Sequence, residues 1–337
     1  MLYRIYNWLD ISHHFTEAIL IGNGASRSIN DSFDYGSLKE HAIANGLLTE
    51  NVRKLFAFFK TNDFELVLRL VWQANKVNDA LDIKDKTTKV AYEHIRDSLI
   101  RAVQSIHPEY FEVEEQFPDI AEFLSSFRTV LSLNYDLTLY WVVMYANRIQ
   151  NGHSFKDCMV HGEFSEDWRR FRRPIGHRDQ KNTLIFYPHG SLILARNILE
   201  QEVKLDARQD NDLLRSILNS WESEEFVPLF VSEGTSEQKV GSIQNSHYLY
   251  TVYRDVLPYI GSSLVIYGWG VWENDIHILK RLGSSRFPRL NRIAVSVFNY
   301  DQSYCRRVAE MIATYIGRRI EVVFFDCKSK GCWNNPA

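Results

Sequence analysis

The sequence predicts an α/β protein with a Rossmann-like, doubly wound and mostly parallel sheet that carries an inserted helical subdomain. Short apolar runs rich in β-branched and aromatic residues recur along the chain, and segments with helical periodicity separate most of them. Strands that alternate with helices are typical of a parallel sheet covered on both faces. With 337 residues and 45% hydrophobic content, the chain can bury a large core. We therefore expect a single α/β domain over residues 1–337.

Seven apolar runs are interpreted as strands of this protein. Most of them end in a small or polar residue, as buried parallel strands do where they deliver a loop to a site. The runs cover residues 17–23, 127–136, 182–190, 226–234, 263–270, 292–299 and 319–326.

Three further segments complete the predicted organisation. Residues 37–126 show helical periodicity without a convincing strand, so we expect a helical insertion between the first two strands. The segment 195–225, polar and charged towards its end, is predicted to be a helical lid or insertion, and 328–337 is predicted to be a flexible tail.

The charge of the chain argues against two classes of partner. Its 39 basic and 42 acidic residues are spread along the sequence and give a net charge of −3, so no overall field recruits nucleic acid or an anionic membrane. No apolar run approaches the ~18 residues of a membrane span, and the N-terminus lacks the apolar core of a secretory signal. The four cysteines form no C-x-x-C pair, which argues against a zinc site and fits a reducing compartment. We therefore expect a cytoplasmic protein that contacts neither nucleic acid nor membrane.

One basic cluster, "WRRFRRP" at 168–174, stands out from this even distribution. We interpret it as a solvated loop. The alternative is an arginine clamp on a phosphate or on the acidic surface of a partner.

The first strand ends in "GNGAS", where Gly22 and Gly24 flank Asn23. Glycines let the backbone approach a phosphate without interference from a Cβ atom, and free N–H groups there supply donors. The motif lacks the third glycine of the dinucleotide fingerprint and the Gly-Lys-Ser/Thr of a P-loop. It therefore outlines a nucleotide site, with a plain tight turn as an equal alternative.

Polar residues also follow the second and third strands. The second strand ends in "SLNYD", which places Asn134 and Asp136 at the carboxyl edge of the sheet, although Asp136 is equally placed to cap the next helix. The third ends in "YPHGS", where His189 is a candidate general base. A second His-Gly pair occurs at His161, and we favour His189 because a clear strand leads into it.

Two later strands also end in glycine and polar residues. If such residues only formed turns, they would be found at the opposite edge of the sheet as well. The candidates are Glu233, Gly234, Ser236 and Lys239 in "VSEGTSEQK", and Gly268, Gly270 and Asp275 in "YGWGVWENDIHI". Because the carboxyl ends of parallel strands share one edge, we expect all these residues to gather around one crevice.

Taken in order, the motifs "GNGAS", "SLNYD", "YPHGS" and "YGWGVWENDIHI" resemble those of the sirtuin superfamily, over roughly residues 20–279. The resemblance is to the divergent sirtuin-like domains of bacterial proteins, many of which are tied to phage defence. It implies that Gly22, Gly24 and Ser26 hold the pyrophosphate of NAD. Phe33, in the loop "INDSFDY", would lie over the nicotinamide side.

The resemblance also implies roles for the other motif residues. Asn134 would contact the nicotinamide ribose or hold a water, and Asp136 would contact ribose or nicotinamide. His189 would be the base. Gly268 and Gly270 would pack against the cofactor, in a turn ordered by Asp275.

The sequence departs from the family at two points. Asn23 replaces the usual small residue between the glycines, and no cysteine follows Gly190 where deacylases carry a four-cysteine zinc module. We therefore expect no metal and no acyl-lysine platform, which leaves water as the acceptor.

The resemblance thus implies an NAD+ glycohydrolase that releases nicotinamide and ADP-ribose, acting as a regulated NAD-depleting effector in antiphage defence. The alternative is a non-catalytic NAD or ADP-ribose sensor; a deacylase, an ADP-ribosyltransferase or a scaffold with a decayed site is less favoured. We expect restraint through a homo-oligomer or a separately encoded ATPase or sensor partner. The choice between NAD and NADP stays open, with Arg169, Arg170, Arg172 and Arg173 as candidate contacts to a 2′-phosphate.

Overall fold

A large parallel sheet organises the protein. The computed structural model describes residues 2–34, 37–149, 152–173, 181–205, 213–231, 233–284, 290–317 and 319–337. The strands are β1 (Ile5–Tyr6), β2 (Ala18–Ile21), β3 (Thr129–Ser132), β4 (His153–Lys156), β5 (Met159–Val160), β6 (Glu163–Phe164), β7 (Lys181–Phe186), β8 (Gly190–Asn197), β9 (Glu202–Lys204), β10 (Phe226–Phe230), β11 (Ser263–Tyr267), β12 (Arg292–Val297) and β13 (Glu321–Asp326).

The helices connect these strands and cover both faces of the sheet. They are α1 (Trp8–Ile11), α2 (Asn23–Arg27), α3 (Leu38–Ala44), α4 (Glu50–Phe59), α5 (Phe64–Ala80), α6 (Lys86–Ile106), α7 (Tyr110–Val113), α8 (Phe117–Ser125), α9 (Thr138–Ile149), α10 (Leu213–Glu222), α11 (Ser236–Gln244), α12 (His247–Thr251), α13 (Ile276–Leu282) and α14 (Gln302–Tyr315). In the part of the chain that the structure describes, none of them is both long enough and apolar enough to cross a membrane.

Among the described residues, eight strands form the large sheet in the order β1-β13-β12-β11-β2-β3-β7-β4. Every neighbouring pair in it is parallel. The predicted α/β, Rossmann-like fold is thereby confirmed. Its central strands β2, β3 and β11 are buried at every position, as expected for near-continuous apolar runs covered on both faces.

The order of the strands creates a switch point between β2 and β11. After β2 the chain builds one side of the sheet with β3, β4 and β7, and then returns to build the other side with β11, β12 and β13. Open α/β sheets bind their ligands outside the carboxyl ends of the strands at such a point. The fold therefore predicts that a ligand site would include the residues that follow β2 and β11.

The prediction for 226–234 as a strand of the parallel sheet is wrong. The strand exists as β10, but it pairs antiparallel with β8 in a smaller sheet of order β10-β8-β9. An apolar run alone does not distinguish these settings, because both bury the strand. Pro228 was the missed signal: it removes a ladder donor, and the register shifts between Pro228 and Leu229.

The segment 195–225 also differs from the expected helical lid. Its first part belongs to β8 and β9, and only α10 is helical. Residues 206–212 lie outside the described residues. Between β2 and β3, by contrast, helices α3 to α8 fill the region in which the sequence shows helical periodicity.

The segment 328–337, expected to be a flexible tail, packs onto the body of the protein. Cys332 and Trp333 are buried, and Trp333 Nε1 donates a hydrogen bond to the carbonyl oxygen of Ala25 at 3.1 Å. Asn334 Nδ2 donates to the carbonyl oxygen of Ser28. Burial of the large apolar ring of Trp333 stabilises the packed position of this segment. The polar composition of the segment did not reveal that contribution.

We expect Trp333→Ala to lower the free energy of unfolding by about 3–5 kcal/mol, because it removes a buried indole and leaves a cavity. Trp333 is 2% exposed, whereas Trp272 is 60% exposed, so Trp272→Ala serves as the control and should cost much less. Urea denaturation of both variants measures the difference. Equal stability of the two variants would show that Trp333 does not pack as described.

Candidate functional site

A contact between two backbone segments lies at the switch point. Gly24 N donates a hydrogen bond to the carbonyl oxygen of Gly268 at 2.7 Å, and Gly22 N donates to the carbonyl oxygen of Tyr267 at 2.9 Å. A Cβ atom on Gly22 would lie 2.6 Å from Trp269 Cα, and one on Gly24 would lie 2.8 Å from the oxygen of Gly268. The two backbone segments can therefore come this close only because glycine lacks a Cβ atom at both positions. The N–H of Gly24 is already bonded, contrary to the free phosphate donor that the motif suggests.

A hydrogen-bonded polar cluster joins β3 to the start of α2. Asn134 Nδ2 donates to the carbonyl oxygen of Gly22 at 3.1 Å and to Ser26 Oγ at 2.8 Å. Ser26 Oγ in turn donates to Asp136 Oδ2 at 2.6 Å. The parallel register of β2 and β3 aligns Ile21 with Ser132, which brings the residues after both strands together. The predicted residues Gly22, Ser26, Asn134 and Asp136 therefore lie in contact.

Asp136 performs the capping role that was the alternative reading of its position. Its Oδ1 accepts from the backbone N–H of Thr138 at 2.8 Å, at the start of α9. With both oxygens engaged inside the protein, Asp136 supports the loop rather than facing a ligand.

Asn23 and Phe33 differ from their expected positions at the cofactor. Asn23 is exposed, and its Nδ2 donates to the carbonyl oxygen of Phe33. The ring of Phe33 is buried edge-on against His107, with ring centroids 5.5 Å apart. The prediction that Phe33 lies over the nicotinamide side stays a prediction; in this structure its ring is packed into the core.

A second cluster surrounds His189, just beyond β7. His189 Nε2 lies 2.9 Å from His277 Nε2, and His277 Nδ1 lies 3.4 Å from Ser236 Oγ. The antiparallel pairing of β10 with β8 brings the end of β10 to His189, whose carbonyl oxygen accepts from Val231 N. Ser236 consequently reaches the site although β10 lies outside the large sheet.

Burial keeps both imidazoles of this cluster neutral. Desolvation lowers the pKa of His189 well below 6.5, and the Lys239 ammonium lowers it further, while Asp275 opposes the shift. Desolvation likewise lowers the pKa of His277 to about 4. Both rings are uncharged at neutral pH, so His189 has a lone pair available to accept a proton.

A buried ion pair adjoins the histidines. Lys239 Nζ lies 2.7 Å from Asp275 Oδ1, and Trp269 Nε1 donates to Asp275 Oδ2 at 3.4 Å. Burial raises the pKa of Asp275, but His189 and Lys239 outweigh it and the net shift is downward. The pair thus anchors the turn after β11 to α11, as predicted for Asp275.

His189, Asp275 and His277 also have the composition of a metal site. One ligand atom from each lies within 4.8 Å of the others. Two imidazoles and a carboxylate are ligands that zinc and ferrous iron accept. The Lys239 ammonium already neutralises Asp275, however, and would repel a divalent ion there.

Glu233 and Gly234 have structural roles in the backbone near the starts of α3 and α11. Glu233 Oε1 accepts from Lys39 N at 3.1 Å near the start of α3, and burial raises the pKa of Glu233 to about 7. Glu233 Oε2 is buried and has no hydrogen-bond partner among the described residues. Gly234 has a φ of +113° and precedes the Thr235 cap of α11. Neither residue forms a hydrogen bond with the polar cluster of Ser26, Asn134 and Asp136.

The two His-Gly pairs lie in different settings. His161 and Gly162 have φ values of 52° and 85° and form the two-residue turn between β5 and β6. Positive φ at both positions is typical of a type I′ hairpin turn. His161 is exposed there, whereas His189 lies at the carboxyl edge of the large sheet.

A cavity of about 750 Å³ opens on the other side of the glycine contact. Gly24, Gly268 and Gly270 line it, together with the aromatic residues Tyr267, Trp269, Trp272, Phe298 and Tyr304 and the basic residues Arg27, Arg307 and Lys328. Asn134 and His189 do not line it. The expectation that all candidate residues surround one crevice is therefore met only in part.

The loop between β11 and α13 carries backbone strain beside this cavity. Val271 is β-branched and has a φ of 50°, a conformation that such residues rarely adopt. Arg307 Nη1 donates to the carbonyl oxygens of Gly270 and Val271 and holds the loop in this shape.

The basic cluster of 168–174 lies at the opposite edge of the sheet. Arg172 Nη2 donates to Thr129 Oγ1, at the first residue of β3. Arg172 is therefore remote from a ligand at the carboxyl edge and does not contact a 2′-phosphate there. Pro174 lies outside the described residues.

Sequence reasoning missed His277 and left Lys239 without a role. His277 sits between Ile276 and Ile278 in α13 and reads as one residue of a helix. Its burial would have been the signal, because a buried histidine needs polar partners.

A comparison with protein-family models matches residues 19–333 to a domain of unknown function, DUF4917. A search of curated proteins gave no match.

We expect Gly268→Ala to lower the free energy of unfolding by about 1–3 kcal/mol more than Gly46→Ala, because of steric overlap. Both glycines have a φ of +65°, so both substitutions carry the same left-handed strain. A Cβ at Gly268 would lie 2.4 Å from Ala25 N, whereas Gly46 faces open space. Chemical denaturation of the two variants measures the cost of the steric overlap at Gly268. Equal decreases in the free energy of unfolding would contradict the predicted contact.

We expect His277 to contribute a loss of stability as the pH falls from about 6.5 towards 4. His277 has a folded pKa of about 4, below its ordinary 6.5, so the unfolded chain binds the extra proton in this window. Each such histidine contributes about 1.4 kcal/mol per pH unit. His277→Gln should flatten the slope of unfolding free energy against pH, while the exposed control His14→Gln should not; identical slopes in all three proteins would refute the assignment.

Proposed function

Since the chain belongs to the DUF4917 family, its activity has to be inferred from its own site, and we propose that it is an NAD+ glycohydrolase. The reaction breaks the bond between nicotinamide and ribose with water and releases ADP-ribose. The observation that carries the proposal is the convergence of Asn134, Ser26 and the neutral His189 just beyond the carboxyl ends of three adjacent strands, β2, β3 and β7. This edge is where dinucleotides bind in related sheets.

The cavity beside Gly24 suits the adenosine half of the dinucleotide. Its volume of about 750 Å³ falls in the range of small-molecule sites. Trp269, Trp272 and Tyr304 offer aromatic faces for adenine. Lys328 offers a charge for phosphate, whereas Arg27 is already paired with Asp34 at 2.7 Å. In this pose the pyrophosphate crosses the glycine contact at the switch point, and the nicotinamide ribose lies towards Asn134.

Asn134 positions the reacting groups in this proposal. Its Nδ2 is held by the carbonyl oxygen of Gly22 and by Ser26 Oγ, which fixes the orientation of the amide. Asn134 Oδ1 has no hydrogen-bond partner within the described residues, and Asn134 is half-buried. That oxygen is available to accept from a ribose hydroxyl or from the attacking water.

His189 acts as the general base through Nδ1. We assign the tautomer in which His189 Nε2–H donates to His277 Nε2 and His277 Nδ1–H donates to Ser236 Oγ; the same distances also fit the reversed direction of both bonds. This assignment leaves a lone pair on His189 Nδ1. Asp275 then stabilises the imidazolium that forms when the proton arrives. His277 and Ser236 are positioning residues that select the tautomer.

The chemical step balances with water as the co-substrate. The bond between the ribose anomeric carbon and the nicotinamide nitrogen breaks, and its electron pair leaves with neutral nicotinamide. A water oxygen bonds to the anomeric carbon, and His189 Nδ1 takes the proton. His189 is only 4% exposed, so residues that cover it have to move before the nicotinamide reaches it.

The biological role that fits this activity is a regulated NAD-depleting effector of bacterial antiphage defence in the cytoplasm. Uncontrolled turnover would exhaust the host cell, so we propose restraint through a homo-oligomer or through a separately encoded ATPase or sensor.

One observation favours a second function, a non-catalytic sensor of NAD or ADP-ribose. The cavity borders Gly24 and Gly268, and neither Asn134 nor His189 lines it. A ligand bound in this cavity without turnover would change the conformation of the loop at Val271, and a partner protein would recognise that change.

Incubation with NAD+ and chromatographic detection of nicotinamide tests the proposal. We expect turnover by the wild type and a loss of ~10²–10⁴-fold in His189→Ala, because a general base is removed. Asn134→Ala should lose turnover to a similar extent, because positioning of the ribose and water is lost. Both variants should still bind NAD+ in calorimetry and fold by circular dichroism.

The exposed controls His14→Ala and Asn51→Ala should retain full turnover. NAD+ binding without nicotinamide release by the wild type would support the sensor instead. Full turnover in both site variants would refute the catalytic assignment.

A further inference from the structure

A second cavity opens at the amino edge of the large sheet, opposite the site described above. Its volume is about 490 Å³. It lies where β3, β4 and β7 begin and is lined by Thr16, Ser125, Ser126, Phe127, Arg128, His153, Arg172, Lys181 and Asn182. Ligands of parallel sheets usually occupy the carboxyl edge, so this cavity calls for a separate explanation.

The lining of this amino-edge cavity is cationic. Arg128, Arg172 and Lys181 contribute three positive charges. The nearest carboxylate, Glu17, lies 3.6 Å from Arg128 and is the only acidic partner of these three residues in the described chain. Three cations less one carboxylate leave two positive charges. The cluster contrasts with the chain as a whole, whose net charge is −3.

Arg172 is held in place without a counter-ion. Its guanidinium donates to the carbonyl oxygen of Arg128 and, at 2.6 Å, to Thr129 Oγ1. No carboxylate of the described residues lies within ion-pair distance of it. Desolvation, together with the charge of Arg128, lowers the pKa of Arg172 to about 10. A partly buried arginine beside a like charge is stabilised by an anion that pairs with both.

Polar neighbours provide additional donors. Ser126 and Thr16 are exposed at the rim, and Lys181 is exposed, with no side-chain hydrogen bond to the described residues. His153 Nε2 is engaged with Thr183 Oγ1 at 2.9 Å and so faces the interior. One guanidinium held by hydrogen bonds, a second exposed guanidinium, an exposed ammonium and hydroxyls at the rim suit a phosphate group, which accepts several hydrogen bonds at once.

We propose that the amino-edge cavity binds a phosphorylated small molecule, with Arg172 and Arg128 pairing with its phosphate oxygens. A phosphate monoester carries about 1.5–2 negative charges, which matches the two unpaired positive charges. The cavity is much larger than a single phosphate and has room for the organic part of the molecule. This site is independent of the proposed NAD+ cleavage, since it lies at the other edge of the sheet.

Titration with inorganic phosphate and pyrophosphate tests the proposal, with chloride at matched ionic strength as the reference. We expect both phosphates to raise the melting temperature beyond the chloride control and to give a saturable signal in calorimetry. Arg128→Gln and Lys181→Gln should each raise the Kd for pyrophosphate roughly tenfold or more, because each removes a charge-assisted contact. Arg53→Gln, an exposed change on α4, should leave the Kd unchanged.

Arg172→Gln should have the largest effect on the Kd, but it also removes two hydrogen bonds to β3 and its surroundings. Lys181→Gln therefore keeps the test valid if Arg172→Gln fails to fold. Lys328→Gln, which removes a charge from the cavity at the carboxyl edge, should bind pyrophosphate like the wild type, which separates this site from the carboxyl edge. Equal responses to phosphate and chloride, or an unchanged Kd in both Arg128→Gln and Lys181→Gln, would overturn the proposal.

Discussion

The hydrogen bond from Gly24 N to the carbonyl oxygen of Gly268 is the constraint on which the carboxyl edge of this protein depends. It joins the turn after β2 to the turn after β11, the two parallel strands that lie on either side of the switch point in strand order. The approach is possible only because neither segment carries a Cβ atom at the contact. The glycines of the first motif therefore serve packing first, and any ligand has to bind around their contact.

That contact divides the candidate site into two parts. On one side, Asn134, Ser26 and the His189 cluster hold hydrogen-bonding and proton-accepting groups that are largely buried. On the other side lies the aromatic and basic cavity. The strained turn at Val271 directly follows Gly270, which lines this cavity.

Much of the fold could be predicted from the sequence, because buried parallel strands read as apolar runs. Six of the seven predicted runs lie in the large sheet, and the meeting of Gly22 with Asn134 follows from the adjacency of β2 and β3. The rest depended on long-range packing. Local pattern did not reveal that β10 pairs with β8, that His277 turns inward to His189, or that Trp333 covers α2. Each of these contacts joins segments far apart in sequence, and none leaves a periodic signal.

The edges of the large sheet are short. At one edge β1 contributes only Ile5–Tyr6, and at the other β4 contributes His153–Lys156. A strand from another molecule would find few unpaired main-chain groups to extend the ladder at either end. Growth of the sheet from one copy into the next is thus disfavoured, and any self-association of this protein is expected to use complementary side-chain surfaces on its helices.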